Sequence, residues 1–321
     1  MILGIFHKGS GLGNQLFRYV ATRVLALDEG YDFSMINPEG FKGASFMKLD
    51  MGKLNDIDFH IEEPAGKVIP HTDLPLWEEK KVTLNGIDIR GYDPKFNLVK
   101  DNTIIDGEFQ GEKYFIHRKN EIREWLRVGN LDLPDDLCII NFRGGEYVRA
   151  KDLFLPKNYW QNAISNMRKI NPNMRFSVAT DDIKSAKKKF SDFEITHELK
   201  DDYTKIQNAH YLILSNASFA LFPAWLNEKV KLVIAPKYWA RHNVSNGYWS
   251  CEYNIVNGWM YQNRNGRLQT YEECKKDLEN YKAQNKLDQS PITVETRTLK
   301  ERIEKILPKG LKSIIKKVFR L

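Results

Sequence analysis

Residues 2–27 read Ile-Leu-Gly-Ile-Phe-His-Lys-Gly-Ser-Gly-Leu-Gly-Asn-Gln-Leu-Phe-Arg-Tyr-Val-Ala-Thr-Arg-Val-Leu-Ala-Leu. The apolar run at 2–6 predicts a short buried strand. After Gly9–Gln15, the residues Leu16, Phe17, Tyr19, Val20, Val24, Leu25 and Leu27 recur at spacings of three and four, the period of one helix face. Strand, Gly-rich loop and helix in that order open a doubly wound α/β sheet. The loop itself has two readings. It is a tight strand–helix turn, or it is a cradle in which glycines admit a ligand to the backbone and the helix N-terminus favours an anion. Its G-x-G-x-G spacing is neither the dinucleotide fingerprint nor a Walker loop.

Outward from this unit the pattern first loosens. Pro38, Pro64, Pro70, Pro75 and Pro94 punctuate residues 31–102, and no clean period survives there. A strand is expected at Thr103–Phe109 and a helix at Tyr114–Val128. Asn130–Asp136, polar and carrying Pro134, reads as a linker. Beyond it, expected strands at 137–142, 176–179, 211–214 and 232–235 alternate with expected helices at 159–170, 183–190, 204–209 and 219–226. That alternation predicts a parallel sheet covered on both faces. The chain divides into a first α/β domain (1–130), a second (131–265), a helical extension (266–298) and a tail (299–321). No internal repeat is present.

With 321 residues, of which 42% are hydrophobic and 28% charged, the chain can bury the cores that two domains need. The formal charge of +7 is uneven. Residues 300–321 hold eight Lys or Arg against two Glu, so the body is nearly neutral. A nucleic-acid partner is therefore not expected. Cys138, Cys251 and Cys274 form no C-x-x-C pair, which reads as ordinary thiols in a reducing cytosol. No stretch approaches the roughly 18 apolar residues of a membrane span. The seven histidines show no zinc spacing, and there is no G-x-S-x-G elbow.

Four polar motifs sit at the expected carboxyl ends of strands, where ligands bind in such sheets. The Gly-rich loop is the first. In the second, Asn141-Phe142-Arg143-Gly144-Gly145-Glu146-Tyr147, the guanidinium of Arg143 is placed to fork onto phosphate oxygens, or to pair with Glu146 at the surface. In the third, Thr180-Asp181-Asp182, the carboxylates suit a metal, a ribose or base edge, or a helix cap. The fourth, Ser215-Asn216-Ala217-Ser218, offers helix caps or contacts to a phosphate or sugar.

In order along the chain, these motifs resemble the blocks of the bacterial α-1,2-fucosyltransferases of glycosyltransferase family 11. The resemblance rests on Gly11–Phe17, Gly107–Phe115, Asn141–Tyr147, Val178–Asp182, Ser215–Leu226 and Ile234–Trp239. It implies a GT-B-like α/β fold, two Rossmann-like domains facing a cleft. It further implies an inverting, metal-independent transfer of fucose from GDP-fucose to a sugar hydroxyl of a bacterial surface-glycan precursor, with no cofactor. Carried over residue by residue, Arg143 would sit on the donor pyrophosphate and stabilise the departing GDP. Gly11, Gly13, Asn14, Gln15, Asn141, Asp181, Asp182, Ser215, Asn216 and Ser218 would line the donor. Glu146 is a candidate base, or else it orients Arg143 or Tyr147. His242, Tyr248 and Trp249 would face the acceptor, or else pack as a loop.

Three positions depart from the family pattern. Asn141 stands where the family has His, Gly144 where it has a second Arg, and Glu146 where it has Asp. Lys157, Lys237 and Arg241 are candidates to replace the missing cation. The departures leave two further readings open: the same fold serving another nucleotide sugar, or a non-catalytic glycan- or nucleotide-binding descendant.

In the tail, Ile303, Leu307, Leu311, Ile314, Val318 and Leu321 recur at helical spacing among lysines, interrupted at Pro308-Lys309-Gly310. A basic amphipathic helix of this kind lies on an anionic membrane, or packs on its own protein. The expected setting is cytoplasmic and peripheral on the inner face of the membrane, with an oligosaccharide or lipid-linked glycan as acceptor.

Overall fold

The computed structural model describes residues 1–53, 61–62, 69–70, 74–79, 82–84, 87–89, 92–150, 153–237 and 255–285. The expectations for His242, Tyr248, Trp249, Arg241, Cys251 and the tail lie outside these residues.

The chain opens as its sequence predicts. β1 (Ile2–Ile5) is buried along its whole length, as a parallel strand covered on both faces must be. α1 (Leu12–Glu29) follows, with Gly11 as its N-cap. β2 (Phe33–Ile36) returns parallel to β1, with Ile2 opposite Phe33 and Ile5 opposite Ile36. The stretch without period then folds into very short pieces. β3 (Ile61–Glu62) and β4 (Ile69–Pro70) pair antiparallel, as do β6 (Val82–Leu84) and β7 (Ile87–Ile89). β5 (Leu76–Glu78) joins the main sheet beside β8 (Thr103–Asp106). The first sheet has the order β2-β1-β8-β5, all parallel.

Two expectations need correction here. The strand expected to reach Phe109 stops at Asp106, because Phe109 adopts a left-handed φ of 49°. The single helix expected over 114–128 is two 3-10 turns, Glu112–Tyr114 and Ile116–Arg118, followed by α2 (Lys119–Trp125). Phe115, with φ −150° and ψ 0°, breaks helical continuity. Its ring packs instead between Phe17, Phe222 and Trp225, with centroids 5.6–6.0 Å away.

The second sheet begins after the 130–136 segment. Its elements are β9 (Leu137–Phe142), α3 (Lys157–Ile170), β10 (Arg175–Thr180), α4 (Ile183–Lys189), β11 (Glu194–Thr196), α5 (Leu199–Asn208), β12 (Tyr211–Ile213), α6 (Leu221–Trp225) and β13 (Leu232–Pro236). β14 (Met260–Gln262), β15 (Leu268–Gln269) and α7 (Tyr271–Asn285) complete the described chain. The order is β11-β10-β9-β12-β13-β14-β15, parallel throughout except for the last pair. The protein is thus an α/β fold of two Rossmann-like units.

α5 starts five residues earlier than its periodicity suggests. Asp201 and Asp202 in its first turn complement the positive end of the helix. The helix expected at 219–226 is a 3-10 turn, Ser218–Ala220, and then α6, which accommodates Pro223 because the first turn of a helix needs no N–H there.

One apolar core runs through both units. Phe17 of α1 packs on Phe222 of α6 with tilted rings 4.7 Å between centroids, and Tyr19, Val20, Val24, Tyr203, Leu212 and Trp225 belong to the same cluster. A second core under the other face of the second sheet holds Phe142, Trp160, Met167, Val178 and Phe190. Cys138 and Cys274 are both buried. Among the described residues no helix is long and apolar enough to cross a membrane.

Candidate nucleotide-sugar site

The carboxyl ends of the second sheet gather most of the sequence-predicted residues. β9 delivers Arg143 beside the end of β10. Its Nη1 lies 2.7 Å from Asp181 Oδ2, and its Nη2 donates to Glu146 Oε1. The guanidinium also lies over the Tyr147 ring, 5.3 Å from the centroid. Asp181 Oδ1 accepts the Gly144 N–H at 2.8 Å, so one carboxylate fixes both the side chain and the loop that carries it. Of the two readings of Arg143, the pairing with Glu146 is present, with Asp181 as a second carboxylate partner.

The two carboxylates divide their work. Asp182 caps α4, its Oδ1 accepting the Ser185 N–H at 3.0 Å. Hydrogen bonds from the Ser185 side chain and backbone hold its carboxyl below the ordinary range. Asp181 is the partner of Arg143. For Glu146, burial acts upward, but its own backbone N–H, Arg143 and Lys42 outweigh it and hold the carboxyl below its usual value. Lys42 belongs to the first unit, so a cation from across the gap contributes to the field at this cluster.

The Gly-Gly pair has a steric cause. A Cβ on Gly144 would come within 2.5 Å of Asp182 Cβ, and one on Gly145, at φ +44°, within 2.5 Å of Asp181 Oδ2. With Asp181 and Asp182 at these positions, residue 144 has no room for an arginine side chain.

On the neighbouring strand ends, Ser215 Oγ donates to Asn141 Oδ1 at 2.7 Å, both residues buried. Asn216 Nδ2 donates to the Leu153 carbonyl at 2.8 Å. Asn216 Oδ1 is buried and has no hydrogen-bond partner among the described residues. The expectation that the Ser215–Ser218 segment caps the following helix is not met. Neither the 218–220 turn nor α6 has a side-chain cap, because the N-cap residues are Ala217 and Ala220, which carry no acceptor, and Ser215 is bonded to Asn141.

The Gly-rich loop reaches this region from the first unit. A Cβ on Gly13 would lie 2.4 Å from Ser218 C, 2.5 Å from its carbonyl oxygen and 2.6 Å from Phe219 N. Gly13 is thus the point where the backbones of the two units meet. Gln15 is buried and structural: its Nε2 donates to the Gly40 carbonyl and its Oε1 accepts the Lys42 N–H. Asn14 Oδ1 accepts from Gln110 Nε2 at 3.0 Å. Gly11 is exposed, with nothing within 4 Å of the Cβ position. Of the four loop residues, Gly11 and Asn14 keep accessible surface, whereas Gly13 and Gln15 hold the architecture.

Of the suggested replacement cations, Lys157 lies exposed at the start of α3. Lys237 does not serve. It is buried, and its Nζ lies 2.5 Å from Asp277 Oδ2 and 2.7 Å from Gln269 Oε1, so it pins α7 to the second sheet.

The residues missed in the sequence cluster around the first sheet. Buried Arg18 donates to the Gly107 carbonyl (2.8 Å), Ser10 Oγ (2.9 Å) and Glu108 Oε1 (3.0 Å). Glu79 accepts the N–H groups of Glu108 and Phe109 and the Tyr114 hydroxyl. His7 Nε2 meets Asp106 Oδ1 at 2.7 Å. A buried-periodicity signal existed for Arg18, which lies on the inward face of α1; the others carry none. Among the described residues no group of three or more His, Cys, Asp or Glu side chains is arranged to hold a metal ion.

Two Rossmann-like units, each a parallel sheet with helices, meet where Gly13 lies against Ser218, and this defines the α/β class of the protein. No protein-family model matches the chain. It is similar to an alpha-1,2-colitosyltransferase of Escherichia coli, with 24% identity over 284 residues covering 78% of this chain and 97% of that protein. Among solved structures it is similar to the E. coli heptosyltransferase WaaC with ADP (12% identity, 88% of this chain, 98% of that one, TM-score 0.39). It is also similar to the NodZ alpha-1,6-fucosyltransferase co-crystallized with GDP (12% identity, 73% and 94%, TM-score 0.36). The fold assignment rests on the two parallel sheets themselves.

Proposed function

We propose that the chain is a glycosyltransferase that moves a deoxyhexose from a GDP-sugar to a sugar hydroxyl, with inversion and without a metal. The observation that carries this reading is the Arg143 cluster at the carboxyl edge of the second sheet, with the Gly-rich loop of the first unit seated against it. In this reading Arg143 neutralises charge on the leaving diphosphate. Asp181 keeps the guanidinium aimed. Glu146, 70% exposed and carried on a short turn, gives way to phosphate oxygens. Asn141, Ser215, Asn216 and Ser218 complete the donor side, and Gly11 and Asn14 face it from the first unit.

GDP-fucose is the donor implied by the motif order. The likeness to a colitosyltransferase supports a second donor, GDP-colitose; colitose is fucose without its 3-hydroxyl. The test is GDP release and product formation over a panel of nucleotide sugars. Turnover with a GDP-deoxyhexose, lost by at least 100-fold in R143A at unchanged melting temperature, is the expected outcome. Turnover only with a non-GDP donor ends the GDP reading, and GDP binding with no turnover points to a binding descendant. R143A at near-normal rates removes Arg143 from its role.

The acceptor is a surface-glycan precursor carried on lipid. The basic, amphipathic pattern of 299–321 supports peripheral attachment to an anionic membrane. Sedimentation with phosphatidylglycerol vesicles, lost on truncation near Thr298, tests this attachment; unchanged partition refutes it.

A further inference from the structure

We infer that His7 is the base that takes the proton from the acceptor hydroxyl, held for that task by Asp106 as a positioning residue. The inference rests on the glycosyltransferase reading and adds to it the residue that reading lacks.

β1 and β8 are adjacent parallel strands, with Gly4 opposite Ile105. Asp106 ends β8, and His7 leaves β1 just beyond the same sheet edge. Their 2.7 Å contact is between side chains that are 13% and 19% exposed, so the pair is sheltered but not sealed. With Nε2–H donating to the carboxylate, Nδ1 keeps its lone pair. Among the described residues Nδ1 has no hydrogen-bond partner. An imidazole with one nitrogen on a carboxylate and the other free is the arrangement of a general base whose tautomer is fixed by its orienting group.

The segments on both sides of the pair are tied by one buried guanidinium. Arg18 holds Ser10 Oγ on the His7 side and the Gly107 carbonyl on the Asp106 side. The Ser10 N–H also donates to the His7 carbonyl at 3.1 Å, closing the turn that begins the Gly-rich loop. That loop runs from His7 to Gly13, which touches Ser218 of the second unit. A Cβ placed on Gly9 or Gly11, between these points, would meet nothing within 4 Å. His7 therefore stands at the first-unit end of an open loop whose other end lies against the donor-side residues.

Position also separates His7 from Glu146. Inversion is an in-line displacement, so the acceptor oxygen enters opposite the leaving diphosphate. Glu146 is bonded to Arg143, on the leaving-group side, and its depressed carboxyl is a weak base. A base on the opposite side must come from the first unit. In the step itself, Nδ1 of His7 takes the hydroxyl proton while the oxygen bonds to the anomeric carbon. The bond from that carbon to the diphosphate oxygen breaks, and its electron pair leaves with GDP. Asp106 offsets the charge of the imidazolium, which then releases its proton to water.

The experiment uses the full chain with a GDP-sugar that it turns over. H7A and H7Q should retain GDP affinity and melting temperature while kcat falls by about 10²–10⁴-fold. Added imidazole should restore part of the rate in H7A but not in H7Q. D106N should lower kcat with the donor KM unchanged. In ¹⁵N spectra of the unliganded protein His7 should be the Nε2–H tautomer, and D106N should mix the tautomers. A wild-type rate in H7A, a loss that imidazole leaves untouched, or an Nδ1–H tautomer in the wild type overturns the inference. Absence of GDP release by the wild-type protein with every donor overturns the underlying glycosyltransferase reading. The two failures are therefore told apart by whether the wild type turns over.

Discussion

Two glycines of one loop should respond to substitution with opposite signs. Gly13 is seated against backbone: its Cβ would lie 2.4, 2.5 and 2.6 Å from atoms of Ser218 and Phe219, where ordinary contact starts at 3.4 Å. Backbone does not swing aside as a side-chain tip does, so G13A must part the two units by about 1 Å. Parting them loosens the Phe17–Phe222 contact, now 4.7 Å between centroids. Overpacking of this kind costs about 1–3 kcal/mol, more than the helix propensity of Ala returns in a first turn. Gly11 has open space around its Cβ position and an extended backbone (φ −73°, ψ 157°) that any residue adopts. It is also the N-cap of α1, where Ser is preferred over Gly, so G11S should be neutral or stabilise by a few tenths of a kcal/mol. The assay is denaturant unfolding of wild type, G13A and G11S side by side, with a GDP titration of each. A G13A protein as stable as wild type would refute the backbone-contact argument, and so would a G11S protein destabilised as much as G13A.

Other outcomes follow from the electrostatics. Burial, only partly offset by the Thr196 hydroxyl, pushes Asp202 up to about 6. Its protonated form is favoured by folding, so that stability is full below the ordinary carboxylate range and is lost as pH rises through 6. The loss is at most roughly 2–3 kcal/mol, and unfolding curves for D202N should lack it. K237M removes the cation from Asp277 and leaves Gln269 Oε1 without its donor, although Gln269 Nε2 still donates to Asp277, and should lower stability by about 1–3 kcal/mol, with faster amide exchange in α7. If α7 exchanges as in wild type, Lys237 is not its anchor. E146Q removes a competitor for Arg143 and should tighten GDP binding a few-fold at low salt; weaker binding would show that Glu146 contributes to the pocket rather than competing with it.

Where helix and strand periods are long, the fold was legible. α1, α3 and the apolar strands at 137–142, 175–180 and 232–236 lie where their patterns put them. The first sheet was half legible. Its edge strand, β5, is three residues long, too short to show alternation. Phe115 carries a helical pattern into a place where ring packing breaks the helix. The Arg143–Asp181 association was legible only as two separate strand ends, because it needs the parallel register of β9 and β10 to bring residues 143 and 181 side by side. His7 and Asp106, 99 residues apart, carry no local signal at all. Their meeting depends on β8 pairing with β1 across the intervening helix α1 and strands β2 to β7.

The two readings of Arg143 cease to compete once magnitudes are compared. An exposed Arg–Glu pair contributes roughly 0–1 kcal/mol, and Glu146 is 70% exposed. A charge-assisted hydrogen bond to a phosphate contributes about 1.5–3 kcal/mol. Exchanging Glu146 for a diphosphate oxygen is therefore downhill, while Asp181, 28% exposed and bonded to Gly144 N–H as well, stays in place. Without ligand, Glu146 and Asp181 both pair with the guanidinium at the strand end. In the proposed function, release of Glu146 opens Nη2 of the guanidinium to a phosphate oxygen while Nη1 stays on Asp181. In the proposed function, the pairing that looks like a surface ion pair is the resting state of the site, and it holds Arg143 where a leaving phosphate would need it.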